Sequence, residues 1–190
     1  MNNTLDKTQY PTLPTTFELS NDQSLTIRSI RSSDAALLVE MFHHLSERSK
    51  RLRFHAYTGN LPEARIWREA IALADLDSTR QAAVVAVYND DAGEHIAGVA
   101  RFARATGEAI EAEAAVIVRD DFQRMGLGTH LMTLLLPLAQ SMGIQRLFGW
   151  VMSENRHMLR ILTKTHLPVH RENHSGEMFI VLSVSPQDSP

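Results

Sequence analysis

Apolar residues recur along this chain at two spacings, and the changes between them fall at glycine, proline or acidic turns. Alternation over Leu25-Thr-Ile-Arg-Ser-Ile30 predicts a strand. Leu37, Leu38, Met41, Phe42 and Leu45 then repeat at helical spacing behind Ser32-Ser33-Asp34, residue types that cap a helix start. A second helix begins at Ser46. A third runs from Leu61-Pro62 to Leu73, with Ile66, Trp67, Ala70 and Leu73 facing inward and Trp67 assigned to the core. Two apolar runs, Gln81 to Tyr88 and Ile96 to Arg104, flank Asn89-Asp-Asp-Ala-Gly-Glu94 and predict a hairpin.

The stretch from Glu111 to Met132 changes period twice. Glu111 to Val118 is small, apolar and β-branched with alternating carboxylates, a strand with one covered face. Gln123-Arg-Met-Gly126-Leu-Gly128 is a tight loop, after which Leu127, Leu131, Leu134, Leu135, Leu138 and Met142 fall on one helical stripe. Pro137 predicts a kink or early end, because it cannot donate to the Thr133 carbonyl. Gly143 ends this helix, and the crossover makes the next strand, Arg146 to Met152, parallel to Glu111–Val118. A helix from Asn155 to Leu162 and a strand from Glu177 to Val184 complete the pattern.

Composition narrows the class. With 190 residues and 44% hydrophobic content, one mixed α/β domain over residues 23–184 can bury a full core, leaving 1–22 as a flexible arm and 185–190 as a flexible tail. A net charge of −3 gives no whole-molecule attraction to nucleic acid or an anionic membrane, and no apolar run nears a membrane span. The absence of cysteine excludes disulfides, a thiolate nucleophile and a cysteine zinc site, and agrees with a cytoplasmic location. His166, His170 and His174 recur every four residues, but Pro168 breaks any shared helix, so no metal site is expected.

The glycine loop reads as an anion cradle. Gly126 and Gly128 let backbone approach a ligand, the next helix offers unpaired N–H groups, and Arg124 and Thr129 add a charge and a hydroxyl. A P-loop needs Gly-Lys-Ser/Thr after four spacers, and the dinucleotide fingerprint needs a third glycine where Leu131 stands. Gln123 to Gly128 instead resembles the Q/R-x-x-G-x-G/A pyrophosphate loop of the GNAT superfamily of N-acetyltransferases. That resemblance implies acetyl-CoA as cosubstrate and a central, mostly antiparallel sheet with a splayed parallel strand pair, flanked by helices. Gln123, Arg124, Met125, Gly126, Leu127, Gly128 and Thr129 would hold the pyrophosphate. Val116, Ile117 and Val118 would pair with the pantetheine arm, and Asn155 would touch it while also suiting a helix cap. Leu45, Ser46, Ser49, Arg53 and Phe54 further resemble a stretch of the bacterial protein lysine acetyltransferases.

Acetylating an amine requires its neutral form, which a lysine of pKa about 10.4 supplies in roughly one molecule per few thousand at pH 7. A base is therefore expected. Glu111 and Glu113 project from one strand face, and Glu113 matches the general base of the protein-acetylating branch, with Glu111 as runner-up. The tyrosine that many of these enzymes use as acid is missing after Asn155, since the only tyrosines are Tyr10, Tyr57 and Tyr88, and the family's Gly-Phe is replaced by His166-Leu-Pro168. The basic run Arg48, Lys50, Arg51 and Arg53 reads as a solvated helix face or a protein-docking patch. The expected partners are acetyl-CoA, an amine acceptor such as a protein lysine, and a second copy in a homodimer. The competing function is a non-catalytic acyl-CoA-binding regulatory module.

Overall fold

Eight strands join in one sheet. In the computed structural model, which describes residues 12–54 and 61–184, they are β1 (Thr15–Glu18), β2 (Ser24–Ser29), β3 (Gln81–Asp90), β4 (Gly93–Ala103), β5 (Glu111–Val118), β6 (Arg146–Met152), β7 (Val169–His174) and β8 (Glu177–Ser183). Their order is β1-β2-β3-β4-β5-β6-β8-β7, and every neighbouring pair is antiparallel except β5 with β6. That exception follows from the crossover helix α4 (Leu127–Ser141) between them. The other helices are α1 (Ala35–His43), α2 (Glu47–Phe54), α3 (Glu63–Ala74) and α5 (Arg156–Lys164).

Alternation along β5 divides the core. Ala112, Ala114, Val116 and Val118 pack with Leu127, Leu131 and Leu135 of α4, while Ile117 joins Leu38 and Met41 of α1 and Ile66 and Ala70 of α3. Helices therefore cover both faces of the sheet's centre. Among the described residues no helix is long and apolar enough to cross a membrane.

Several expectations need correction. Residues 15–18, read as part of a flexible arm, form β1 on β2, with Phe17 stacked on His130 and Leu19 buried. Residues 1–11 and 185–190 of the expected arm and tail lie outside the described residues. Trp67 is 39% exposed, because the buried positions of α3 are Ile66, Ala70 and Ala74, spaced four apart, and Trp67 falls one step off that stripe. The helix containing Pro137 does not end there: α4 continues to Ser141, held by the burial of Leu134, Leu135 and Ala139 on the sheet. His170 and His174 lie on β7, a strand not anticipated, where both rings approach Glu172.

Asp34 does not cap α1 with its side chain. Its carboxylate accepts from Arg28 at 2.7 and 2.9 Å and from the Arg31 amide at 2.8 Å, and Arg28 also reaches Glu94. Arg28 and Asp34 are 5% and 2% exposed, so the pair ties β2 to the α1 start inside the core. For Asp34, burial opposes ionisation, but the Arg28 and Arg31 hydrogen bonds outweigh it and hold the carboxyl below its usual range.

Candidate active site

The parallel ladder between β5 and β6 is only three pairs long: Glu111 with Arg146, Ala112 with Leu147, and Glu113 with Phe148. Beyond it β5 follows β4 from Ala114 to Val118, while β6 follows β8. Gly149, just past the last pair, keeps β6 close to β5 there, since a Cβ would stand 3.0 Å from the Ala114 carbonyl oxygen. The separating strands open a cleft of about 690 Å³. Backbone groups of Ala114–Val118 on its β6 side have no ladder partner.

The loop at the cleft's far end is shaped by backbone conformation. Arg124 and Gly126 both take positive φ, 66° and 87°, so successive amides turn toward one side, and Gly126 is the N-cap of α4. The first turn of α4 contains no acidic side chain, leaving its N–H groups to an external anion. Gly128 is buried, and a Cβ there would meet Ile161 Cδ1 of α5 at 2.9 Å. Valine in place of Gly126 would occupy a left-handed conformation that costs a β-branched residue about 1–3 kcal/mol. Gly126→Val is therefore expected to weaken acetyl-CoA binding about tenfold or more in calorimetry while the far-ultraviolet spectrum is kept. Unchanged affinity would place the cradle elsewhere.

Gln123 acts from below the loop, donating to the Val118 carbonyl at 3.0 Å and to Ser49 Oγ at 3.1 Å. Ser49 in turn donates to Asp120 at 2.7 Å, and Asp120 also accepts from the amide and hydroxyl of Ser46 at 2.9 and 2.8 Å. Burial opposes the Asp120 charge, yet these hydrogen bonds from Ser46 and Ser49 hold its pKa below the ordinary carboxylate value. The carboxylate thus stands at the start of α2 and ties that helix to the turn before the loop. Asp120 was not singled out by sequence reading; the two serines three apart were the only local signal.

Of the sequence-predicted residues, Glu113, Val116, Ile117, Val118, Gln123, Arg124, Gly126, Leu127, Gly128, Thr129 and Asn155 line the cleft. Met125 does not; it packs against the core. Asn155 is the N-cap of α5, its side chain accepting from the Met158 amide at 3.1 Å. The two candidate bases differ. Glu111 is ion-paired with Arg146 at 2.5 Å, whereas Glu113 has no hydrogen bond or ion pair among the described residues. Tyr88 lies away from the cleft with Arg119 over its ring, and Tyr10 and Tyr57 lie outside the described residues. His166, Leu167 and Pro168 join α5 to β7 without lining the cleft.

The basic run is divided. Lys50 pairs with Glu47 and lies over the Phe42 ring, and Arg51 pairs with Glu154. Arg53 instead lines the cleft, half-buried, where desolvation and then Arg101 lower its pKa and Glu113 acts in the opposite sense.

Known proteins resemble this chain in sequence and in fold. Residues 40–166 match the acetyltransferase (GNAT) family. An acetyltransferase of Pseudomonas aeruginosa is 28% identical over 142 residues, covering 74% of this chain and 73% of that protein. The fold is similar to that of the GNAT domain of S. lividans PAT, with a TM-score of 0.76 at 23% identity, covering 92% of this chain and 99% of that one. It is also similar to an acetyltransferase of Salmonella typhimurium solved with acetyl-CoA, with a TM-score of 0.63 at 18% identity, covering 88% of this chain and 98% of that one. The chain belongs to the acetyltransferase (GNAT) family and is an N-acetyltransferase.

Proposed function

We propose that the protein transfers the acetyl group of acetyl-CoA directly to an amine, with Glu113 as general base. The observation that carries this reading is the three-pair ladder, which ends at an unpaired carboxylate and opens toward a loop of converging amides. Amides of the Gln123–Thr129 loop, with Arg124, suit the pyrophosphate. The gap-facing backbone of Val116–Val118, whose Val118 carbonyl is taken by Gln123, suits the amides of the pantetheine arm, and Asn155 suits its far side.

Glu113 lies on the β5 face opposite α4, at the point where the strands part. There it can take a proton from an incoming ammonium, directly or through a water, as the nitrogen attacks the carbonyl carbon. A thiol of pKa about 8.5 leaves as thiolate without an obligatory side-chain acid, which fits the absence of a described tyrosine from the cleft.

The resemblance of residues 45–54 to protein lysine acetyltransferases bears mainly on architecture. Ser46 and Ser49 are engaged by Asp120, and Lys50 and Arg51 by carboxylates of this chain. Following thiol release from acetyl-CoA with a panel of free amines and lysyl peptides tests the reading. Binding with turnover of one acceptor class supports it; binding without turnover of any amine favours a regulatory acyl-CoA-binding module.

A further inference from the structure

Behind Glu113, on the sheet face opposite α4, a second cavity of about 500 Å³ lies between the sheet and helices α1, α2 and α3. Its walls are mostly apolar, with Met41 and Phe42 from α1 and Ile66, Ala70 and Leu73 from α3. Arg65 and Glu69 of α3 also line it, and two further cations lie toward the cleft. Arg53 lines both cavities, and Arg101 rises from the floor. The β4–β5 register sets Arg101 opposite Ala115, two residues from Glu113, so Arg101 and Glu113 share one face.

Other shielded arginines have partners: Arg28 in Asp34 and Glu94, Arg119 in Asp121, and Arg104 in backbone carbonyls, although Arg28 Nε and Arg119 Nη1 keep no hydrogen bond. Arg53 and Arg101 have no hydrogen bond or ion pair among the described residues; Arg53 lies over the Phe54 ring, and Glu113 is the carboxylate that acts on its charge. Two guanidinium groups beside one carboxylate leave an excess positive charge where an apolar cavity meets the reaction site. Partly desolvated cations without a hydrogen-bonded anion are costly, and an anionic ligand removes that cost.

We propose that this cavity is the acceptor site and that its acceptor is a free α-amino acid with a large apolar side chain. The side chain enters between α1 and α3, the carboxylate meets Arg53 and Arg101, and the amine lies at Glu113. Amine and carboxylate on one carbon match a base and a guanidinium group on one sheet face with a second guanidinium group brought beside them by α2. A protein lysine would bring its amine on a long apolar arm with no anion beside it, leaving both arginines unpaired. The proposal rests on the transferase reading above. In the step itself the nitrogen–carbonyl carbon bond forms and the carbon–sulfur bond breaks. The ammonium nitrogen loses two protons, one to Glu113 and on to solvent as it attacks and the second to solvent as the carbon–sulfur bond breaks; the thiolate takes a proton from water, and the acceptor's carboxylate is unchanged.

The test uses the full chain, acetyl-CoA, and leucine, methionine and phenylalanine against their amides and a lysyl peptide. An amino-acid amide has the more acidic ammonium, so chemistry alone favours the amide. The free acids are nonetheless expected to exceed the amides in kcat/KM by about 10–100-fold, the range of charge-assisted hydrogen bonds. Leucine should also exceed alanine. Arg101→Gln should bring the acid-to-amide ratio close to one, with acetyl-CoA affinity by calorimetry as the control for folding, since Arg101 lies outside the cosubstrate cleft. Equal use of acid and amide, or preference for the amide or the lysyl peptide, overturns the proposal. If no amine turns over, the transferase reading fails separately, and calorimetry on CoA-saturated protein decides the cavity. Binding of leucine and not leucinamide upholds the carboxylate site, and binding of neither, or of both equally, overturns it.

Discussion

Glu113→Gln is expected to lower turnover about 10²–10⁴-fold at neutral pH, the usual contribution of a positioned base, while acetyl-CoA affinity stays nearly constant. Glutamine keeps the size and accepts hydrogen bonds but cannot take the proton. Raising the pH should partly rescue the variant, because more of the acceptor amine is then neutral without help. Glu111→Gln should stay within a few-fold of the parent, since that carboxylate is occupied by Arg146. Initial rates across pH for both variants check this. A large loss in Glu111→Gln with near-parental Glu113→Gln would reverse the assignment, and little loss in either would mean the amine arrives already deprotonated.

Asp34→Leu is expected to cost about 3–5 kcal/mol of stability, read as a fall in denaturant midpoint, because it leaves Arg28 buried without its bidentate partner. Adding Arg28→Met should recover much of the loss by removing the stranded charge. The pH dependence has a definite sign. The folded Asp34 pKa is depressed, so its contribution is complete above the unfolded value of about 3.9 and is lost as pH falls through the lower folded value. The doubly substituted protein should lack that part of the acid slope.

How much was legible in the sequence depended on how local the cause was. The β5 alternation, the glycine loop and the helix after it are set by neighbouring residues, and all three stand where the pattern placed them. The parallel β5–β6 pairing follows from one crossover. What escaped had distant causes. β1 forms because β2 offers an edge and His130 a surface for Phe17. The role of Ser46 and Ser49 depends on Asp120, more than seventy positions away. Pro137 signalled a kink or an early end, and the packing of its neighbours carries the helix on to Ser141. Nothing local distinguishes Glu111 from Glu113; only Arg146, brought beside Glu111 by the parallel register, does so.

The short β5–β6 ladder has a further consequence. Sheet proteins ordinarily keep unpaired strand margins at their periphery and guard them, because such margins recruit foreign strands and seed aggregation. Here two margins lie in the middle of the sheet, with α2 above the gap and α4 and α5 below it. A slender chain of amide groups can slide between them, whereas a polypeptide strand, with side chains on both faces, would collide with the helices. The gap is thus protected by steric exclusion, where an outer margin would rely on charge or proline. Whatever fills it acts as a ninth strand and stabilises the folded state by mass action, about 2.7 kcal/mol at a hundredfold excess over Kd.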